Sequence, residues 1–117
     1  MTEPKQLELF PYQDFDDYQN WTDSVAMYGG RYDSYYYPIL GLVSEVGEVA
    51  AILKRTIRDD ESYSRQQLVK ELGDCLWYLA RVAKEEDVSL SEIVAANKEK
   101  LDSRKKRNTL KGSGDDR

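Results

Sequence analysis

Two short acidic stretches, Glu45-Val46-Gly47-Glu48 and Glu71-Leu72-Gly73-Asp74, decide how this chain of 117 residues folds. Each stretch places two carboxylates three residues apart, with a glycine directly before the second. They lie symmetrically about a polar segment, residues 58–62, which favours a chain reversal. If the flanking segments are antiparallel helices, the four carboxylates reach one level of the hairpin. Because converging carboxylates repel one another unless a cation lies among them, the pattern predicts a divalent-metal site.

Apolar residues recur at three- and four-residue steps along most of the chain, a spacing typical of amphipathic helices. The apolar stripes centre on Val46 and Leu72, and each acidic pair flanks its stripe on the same side. Capping residues and glycines set the ends. The predicted helices cover residues 14–30, with Asp14 as cap and Gly29-Gly30 as the end, then 38–58, with Pro38 in the first turn, 64–84 and 89–107.

No segment alternates apolar and polar residues in the manner of a strand. We therefore expect an all-α fold, an antiparallel bundle of about four helices. The expected organisation is an extended N-terminal arm at residues 1–13, a helical catalytic domain at 14–111 and a glycine-rich tail at 112–117.

The chain contains no histidine, which excludes His-based general bases, nucleophilic triads and most zinc sites. Its one cysteine, Cys75, lies within an apolar pattern and reads as a core residue. A metal must therefore be held by oxygen atoms, which points to Mg²⁺ or Mn²⁺. The alternative for any single acidic pair is an ordinary solvated helix edge, but two copies with matched angles favour a site.

Net charge is −5, yet residues 98–117 carry 8 basic and 4 acidic side chains. This basic end is suited to a small anionic ligand, and direct nucleic-acid binding is not expected. The sequence shows no secretory signal pattern and no apolar run of about 20 residues, so we expect a cytoplasmic protein without a membrane partner.

The residues resemble those of the MazG-like nucleoside triphosphate pyrophosphohydrolases, all-α enzymes marked by E-x-x-E followed by E-x-x-D. The resemblance spans about residues 15–117. It rests on Tyr18-Gln19 and on segments 41–49, 70–79, 97–104 and 111–117. One departure is Lys70, where many relatives carry another glutamate.

The resemblance implies cleavage of a nucleoside triphosphate between the α and β phosphates, releasing a monophosphate and pyrophosphate. It implies a magnesium site, with Mn²⁺ as a possible substitute, whose ligands are Glu45, Glu48, Glu71 and Asp74. Glu48 or Glu71 is the candidate catalytic carboxylate that orients the attacking water, and the sequence does not choose between them.

Four residues are candidates for binding the substrate: Lys54, Asn97, Lys100 and Arg104. Lys54 corresponds to a lysine of the family, and the other three share one face of the fourth helix. Their alternative is a solvated basic helix end stabilised by the helix dipole. Trp21 and the aromatic residues of 32–37 are candidates for stacking on the base, although such clusters also pack cores and interfaces. A deoxynucleotide, with guanine favoured, is the expected substrate.

Two partners other than nucleotide are expected. The thin bundle favours a homodimer or homotetramer, and segment Gln6–Phe10 resembles the pentapeptide that docks bacterial replication proteins onto the sliding clamp. An apolar arm of this kind also packs on its own oligomer. The alternative functions are an all-α dUTP- or dCTP-hydrolysing enzyme and a non-catalytic helical nucleotide-binding oligomer.

Overall fold

The computed structural model describes residues 14–29 and 33–117. Its helices are α1 (Phe15–Thr22), α2 (Asp33–Asp59), α3 (Arg65–Glu85) and α4 (Leu90–Lys106), and a short 3-10 turn, Asp23–Val25, follows α1. These residues include no strand, so the predicted all-α fold is confirmed. The predicted N-terminal arm and its clamp-docking segment lie outside the described residues.

Three predicted helix caps are confirmed. The carboxylate of Asp14 accepts a hydrogen bond from the backbone N–H three residues later at 2.7 Å. The hydroxyls of Ser64 and Ser89 do the same for α3 and α4, each at 3.2 Å. A cap satisfies one of the backbone donors that a helix leaves unpaired at its start, which fixes where α3 and α4 begin.

The first helix is shorter than predicted, because it ends at Thr22 and not at Gly29-Gly30. The hydroxyl of Thr22 donates to the carbonyl of Gln19 at 2.6 Å, and that of Ser24 donates to the carbonyl of Trp21 at 2.7 Å. Side chains that bond to the backbone in this way compete with helical hydrogen bonding. The chain therefore tightens into the 3-10 turn and leaves the helix.

The second helix is longer than predicted, because it begins at Asp33 and places Pro38 in its interior. A proline there removes one backbone hydrogen bond, but its fixed φ is compatible with a helix. Packing holds this turn. Pro38 is fully buried, and the ring of Tyr37 lies 5.1 Å from that of Tyr28 and 6.3 Å from that of Tyr78, centroid to centroid.

The hairpin of α2 and α3 forms the main body of the molecule. Buried and half-buried side chains recur at helical steps along the hairpin: Leu42, Glu45, Val49, Ile52 and Thr56 on α2, and Leu68, Glu71, Cys75, Tyr78 and Val82 on α3. The predicted stripe centres, Val46 and Leu72, are instead about half exposed. The acidic flank of each stripe, and not the centre of the stripe, is therefore turned toward the other helix.

A small second core joins α1, α3 and the start of α4. Ala80, Ala83 and Leu90 are buried there against Tyr18, Val88 and Ile93. The buried amide of Gln19 donates to the carbonyl of Val88 at 2.9 Å and accepts from the N–H of Leu90 at 3.1 Å. This amide replaces the hydrogen bonds that the backbone between α3 and α4 lacks, and so fixes where α4 leaves α3.

The buried guanidinium of Arg81 ties the 3-10 turn to α3. Its Nε donates to the hydroxyl of Tyr28 at 2.9 Å, and Nη1 donates to the hydroxyl of Thr22 at 3.2 Å and to the carboxylate of Asp23. The hydroxyl of Tyr28 in turn donates to Glu85 at 3.0 Å. Desolvation opposes the charge of Arg81, but these acceptors outweigh it and the pKa of the guanidinium is raised.

By length and composition alone, Ser34–Asp59 is apolar enough to cross a membrane. Core helices of soluble proteins pass the same test, and α2 carries Glu45 and Glu48 in its middle, where hydrocarbon disfavours charge. The absence of a membrane partner stays a prediction.

Gly41 of α2 lies directly against the ring of Tyr78 on α3. A Cβ added there would overlap the half-buried ring of Tyr78, whereas a Cβ at Gly47 would meet no atom within 4 Å. We expect Gly41→Ala to lower the free energy of unfolding by about 1–3 kcal/mol, since the packed ring must move. The matched change Gly47→Ala should raise it by up to about 1 kcal/mol through helix propensity. Urea unfolding followed by circular dichroism measures both, and equal effects would contradict the contact.

Candidate metal and nucleotide site

Three of the four predicted metal ligands come together between α2 and α3. Glu45, Glu71 and Asp74 each offer a carboxylate oxygen within 4.8 Å of the other two. Glu45 and Glu71 are half-buried because they lie on the faces that the hairpin helices turn toward each other, while Asp74 is exposed at the edge. Oxygen atoms at this separation suit the coordination of one or two hard divalent cations.

Glu48 does not join this group. Its side chain is exposed, one turn of α2 beyond Glu45. Its negative charge nevertheless contributes to the raised pKa of Glu45, so it lies within electrostatic reach of the site. The structure thus separates the predicted four-carboxylate set into three converging side chains and one neighbour.

The pKa of Glu45 is raised above its ordinary value. The largest cause is desolvation between the helices, followed by a hydrogen bond with Glu71 and by the charges of Asp74, Glu71 and Glu48. A shared proton relieves part of this repulsion, and a divalent cation in the same place would relieve more of it. The electrostatics of the cluster therefore favour the binding of a cation.

Three further side chains border the cluster, and the sequence analysis assigned none of them to the site. Burial and the nearby carboxylates raise the pKa of the Cys75 thiol and of the Tyr78 hydroxyl. Burial and the charge of Asp74 raise the pKa of Tyr18. All three stay neutral near pH 7. For two of them the sequence held a signal that could have placed them at the site, since Cys75 directly follows Asp74 and Tyr78 lies four residues after Asp74 on the same helix.

The predicted substrate-binding residues divide between two helices, with Lys54 on α2 and the other three on α4. Lys54 is exposed on α2, and Asn97 is exposed on α4. Lys100 and Arg104 both bond to Asp115 in the C-terminal tail. The main contacts of α4 are with α1, whereas the carboxylates come from α2 and α3.

Residues 37–109 match the family model of the MazG nucleotide pyrophosphohydrolase domain. The chain belongs to the MazG family. The matched segment contains both acidic stretches, and it runs from the second turn of α2 to just beyond α4. The predicted family is thereby confirmed. Membership supports nucleotide pyrophosphohydrolase activity, and the carboxylate cluster fits the divalent-metal dependence that is general in MazG proteins.

One relative of this MazG chain is the Gene 37 protein of Mycobacterium phage L5. The two are 40% identical over an alignment of 111 residues, and the alignment covers 87% of this chain and 97% of the relative. No solved structure matches the chain significantly.

The repulsion at Glu45 gives a test of the cluster. Because the folded-state pKa of Glu45 is raised, its ionisation costs stability above the ordinary glutamate range, and that cost disappears as the pH falls below it. We expect Glu45→Gln to stabilise the metal-free protein at pH 7 by about 0.5 kcal/mol. The variant should also lose the increase in Tm that Mg²⁺ gives the wild type.

Calorimetry with and without Mg²⁺ measures both effects. Glu61→Gln, in the exposed turn between α2 and α3, is the matched control and should keep the response to metal. A response to Mg²⁺ that survives in Glu45→Gln would count against the proposed ligand.

Proposed function

We propose that this MazG protein hydrolyses a nucleoside triphosphate to a monophosphate and pyrophosphate in a magnesium-dependent reaction. The observation that carries the proposal is the convergence of the Glu45, Glu71 and Asp74 carboxylates within 4.8 Å in a chain of this family. The expected substrate is a deoxynucleotide with guanine as the favoured base.

The donor set supports magnesium. Every ligand is a carboxylate, no histidine is present in the chain, and the nearby thiol of Cys75 is kept protonated by its raised pKa. These features disfavour softer metals such as zinc, which select nitrogen and thiolate ligands. Mg²⁺, or Mn²⁺ in its place, would offset phosphate charge and make water more acidic.

The chain's own residues would divide the remaining work. Glu71, half-buried inside the triad, is suited to holding the metal. Glu48 stands outside the triad with an exposed carboxylate and is better placed to orient a water and accept its proton. This assignment chooses between the two carboxylates that the sequence left open.

The triphosphate also needs cations from the protein. We assign Lys54, Lys100 and Arg104 to the phosphates, with Asn97 as a neutral hydrogen-bond donor. Lys54 and Asn97 are exposed, whereas Lys100 and Arg104 are engaged by Asp115 in the free chain. For the base, the ring of Tyr78 lies within electrostatic reach of the carboxylates, and the ring of Tyr37, which is 47% exposed, lies 6.3 Å from it. An exposed ring at this place is a suitable surface for stacking.

The first test is the release of pyrophosphate. We expect Glu71→Gln and Glu48→Gln each to lower kcat by about 10²–10⁴, the range for losing a ligand or a positioned base, with the helical circular dichroism spectrum unchanged. Glu61→Gln is the control and should keep full activity. Substantial release by Glu71→Gln would overturn the proposal.

A screen of the eight common nucleoside triphosphates with identified products separates the alternatives. Hydrolysis confined to dUTP or dCTP would indicate the related all-α enzyme. Binding of nucleotide without any release would indicate the non-catalytic oligomer. Selectivity for dGTP would support the guanine preference.

We further propose that the protein works as a homo-oligomer. Apolar side chains along the outer faces of α2 and α3 are exposed, among them Leu40, Val43, Val46, Leu72 and Leu76. Only five apolar residues of the described chain are buried, namely Ile52, Ala80, Ala83, Leu90 and Pro38. A second copy would cover the outer faces.

Val43, whose exposure is 67%, is the residue to test. An arginine there would have to be buried unpaired in such an interface, so we expect Val43→Arg to raise the dissociation constant of the oligomer at least about tenfold. Analytical ultracentrifugation measures this. Ser62→Arg adds the same charge in the exposed turn and should not change the mass. A wild-type protein that sediments as a monomer would contradict the proposal.

A cytoplasmic location and clamp docking through Gln6–Phe10 stay predictions. The docking segment lies outside the described residues, and its resemblance to the clamp-binding pentapeptide is what supports it.

A further inference from the structure

The C-terminal tail, residues 108–117, folds back against the end of α4. The guanidinium of Arg117 donates to the carbonyls of Gly114 at 2.7 Å, Leu110 at 2.9 Å and Thr109 at 3.2 Å. Arg107 of α4 donates to the carbonyl of Arg117 at 2.9 Å. The tail is therefore held in one conformation by hydrogen bonds.

Two glycines make this conformation possible. Gly112 and Gly114 have φ values of 114° and 90°, in a region that other residues rarely adopt. The sequence Gly112-Ser113-Gly114 therefore determines the conformation of the tail.

The fold-back brings a carboxylate onto the basic face of α4. Oδ1 of Asp115 accepts from Nζ of Lys100 at 3.0 Å and from Nη2 of Arg104 at 3.4 Å, and the backbone carbonyl of Asp115 also accepts from Nη2 of Arg104. The side chain of Arg104 is only 7% exposed as a result. Its Nε is buried without a hydrogen-bond partner in the described chain.

A phosphate oxygen could bridge the side chains of Lys100 and Arg104 in the same way as Oδ1 of Asp115 does. The guanidinium of arginine matches phosphate through paired N–H groups, and Arg104 uses only part of its capacity on Asp115. A cavity of about 410 Å³ lies beside this contact and is lined in part by Lys100, Arg104 and Arg107. The tail leaves only 7% of the Arg104 side chain exposed.

The carboxylate that closes the site is itself easily replaced. The side chain of Asp115 is 79% exposed, so its ion pairs are screened by water and salt and contribute little stability. A polyphosphate carries more negative charge than one carboxylate, and it would gain contacts with both cations and with the unpaired Nε.

We propose that Asp115 is an internal anion that occupies the place of a substrate phosphate on Lys100 and Arg104, so that the tail and the triphosphate compete for these side chains. The inference rests on the proposed function, in which Lys100 and Arg104 bind the triphosphate. Binding of substrate then displaces Asp115 and releases the tail, and the tail returns when pyrophosphate leaves.

The kinetic test compares Asp115→Asn with Asp116→Asn. Both variants remove one negative charge from the tail, but Asp116 is an exposed neighbour without this contact. Competition predicts that Asp115→Asn lowers KM by about two- to fivefold, the range for an exposed ion pair, with kcat unchanged. Asp116→Asn should leave KM at the wild-type value. A KM that is unchanged or raised in Asp115→Asn would overturn the proposal.

A second measurement uses the wild-type chain and needs no turnover. Inorganic tripolyphosphate is added stepwise to the wild-type chain in the presence of Mg²⁺, and the amide NMR signals of Gly112, Ser113 and Gly114 are followed. Displacement predicts that these signals shift and sharpen in a saturable manner, whereas signals that stay unchanged would contradict it. Because this readout does not depend on pyrophosphate release, a chain that binds but does not hydrolyse would refute the proposed function and leave the competition testable.

Discussion

The structure depends on the placement of two glutamates inside a helix–helix contact. Glu45 and Glu71 lie in the middle of the faces that α2 and α3 turn toward each other, where a protein of this size would ordinarily place apolar side chains. The raised pKa of Glu45 reports the resulting repulsion and desolvation. A fold that keeps such a contact gives up stability at its centre, and a bound divalent cation is the simplest physical compensation.

This constraint also explains why the apolar stripes point outward. A helix has room for only one face against its neighbour, and in this hairpin the acidic flank takes that place. Val43, Val46 and Leu72 are then left exposed in the single chain. The same geometry that creates the carboxylate cluster therefore creates the surface that we assign to a second copy. The carboxylate cluster and the exposed apolar surface are in this sense two results of one rotation of the helices.

Much of the fold could be predicted from the sequence, because the local signals were strong. The hydroxyls of Ser64 and Ser89 cap α3 and α4 as their spacing indicates, and the paired acidic stretches located the hairpin. The predicted end of α1 and the predicted start of α2 were wrong because tertiary contacts determine both. Arg81, almost 60 residues away in the chain, binds Thr22 and Asp23 and so favours the early turn, and the packing of Tyr37 overrides the usual place of a proline.

The candidate site was predicted in its chemistry and less well in its arrangement. Spacing alone placed all four carboxylates at one level, but it gave no information on which flank of each helix is buried, and Glu48 consequently falls outside the triad. The contact of Asp115 with Lys100 and Arg104 was beyond sequence reasoning, since it requires the left-handed turns at Gly112 and Gly114.

The guanidinium of Arg81 has a mechanical consequence. It donates a hydrogen bond to the hydroxyl of Tyr28, whose ring stacks on that of Tyr37. The ring of Tyr37 in turn contacts that of Tyr78, which lies beside the carboxylates. These rings connect the guanidinium of Arg81 to the carboxylate cluster. A substitution at Arg81, about one turn of α3 away from Tyr78, would therefore disturb the packing beside the cluster without replacing any residue that we assign to the substrate.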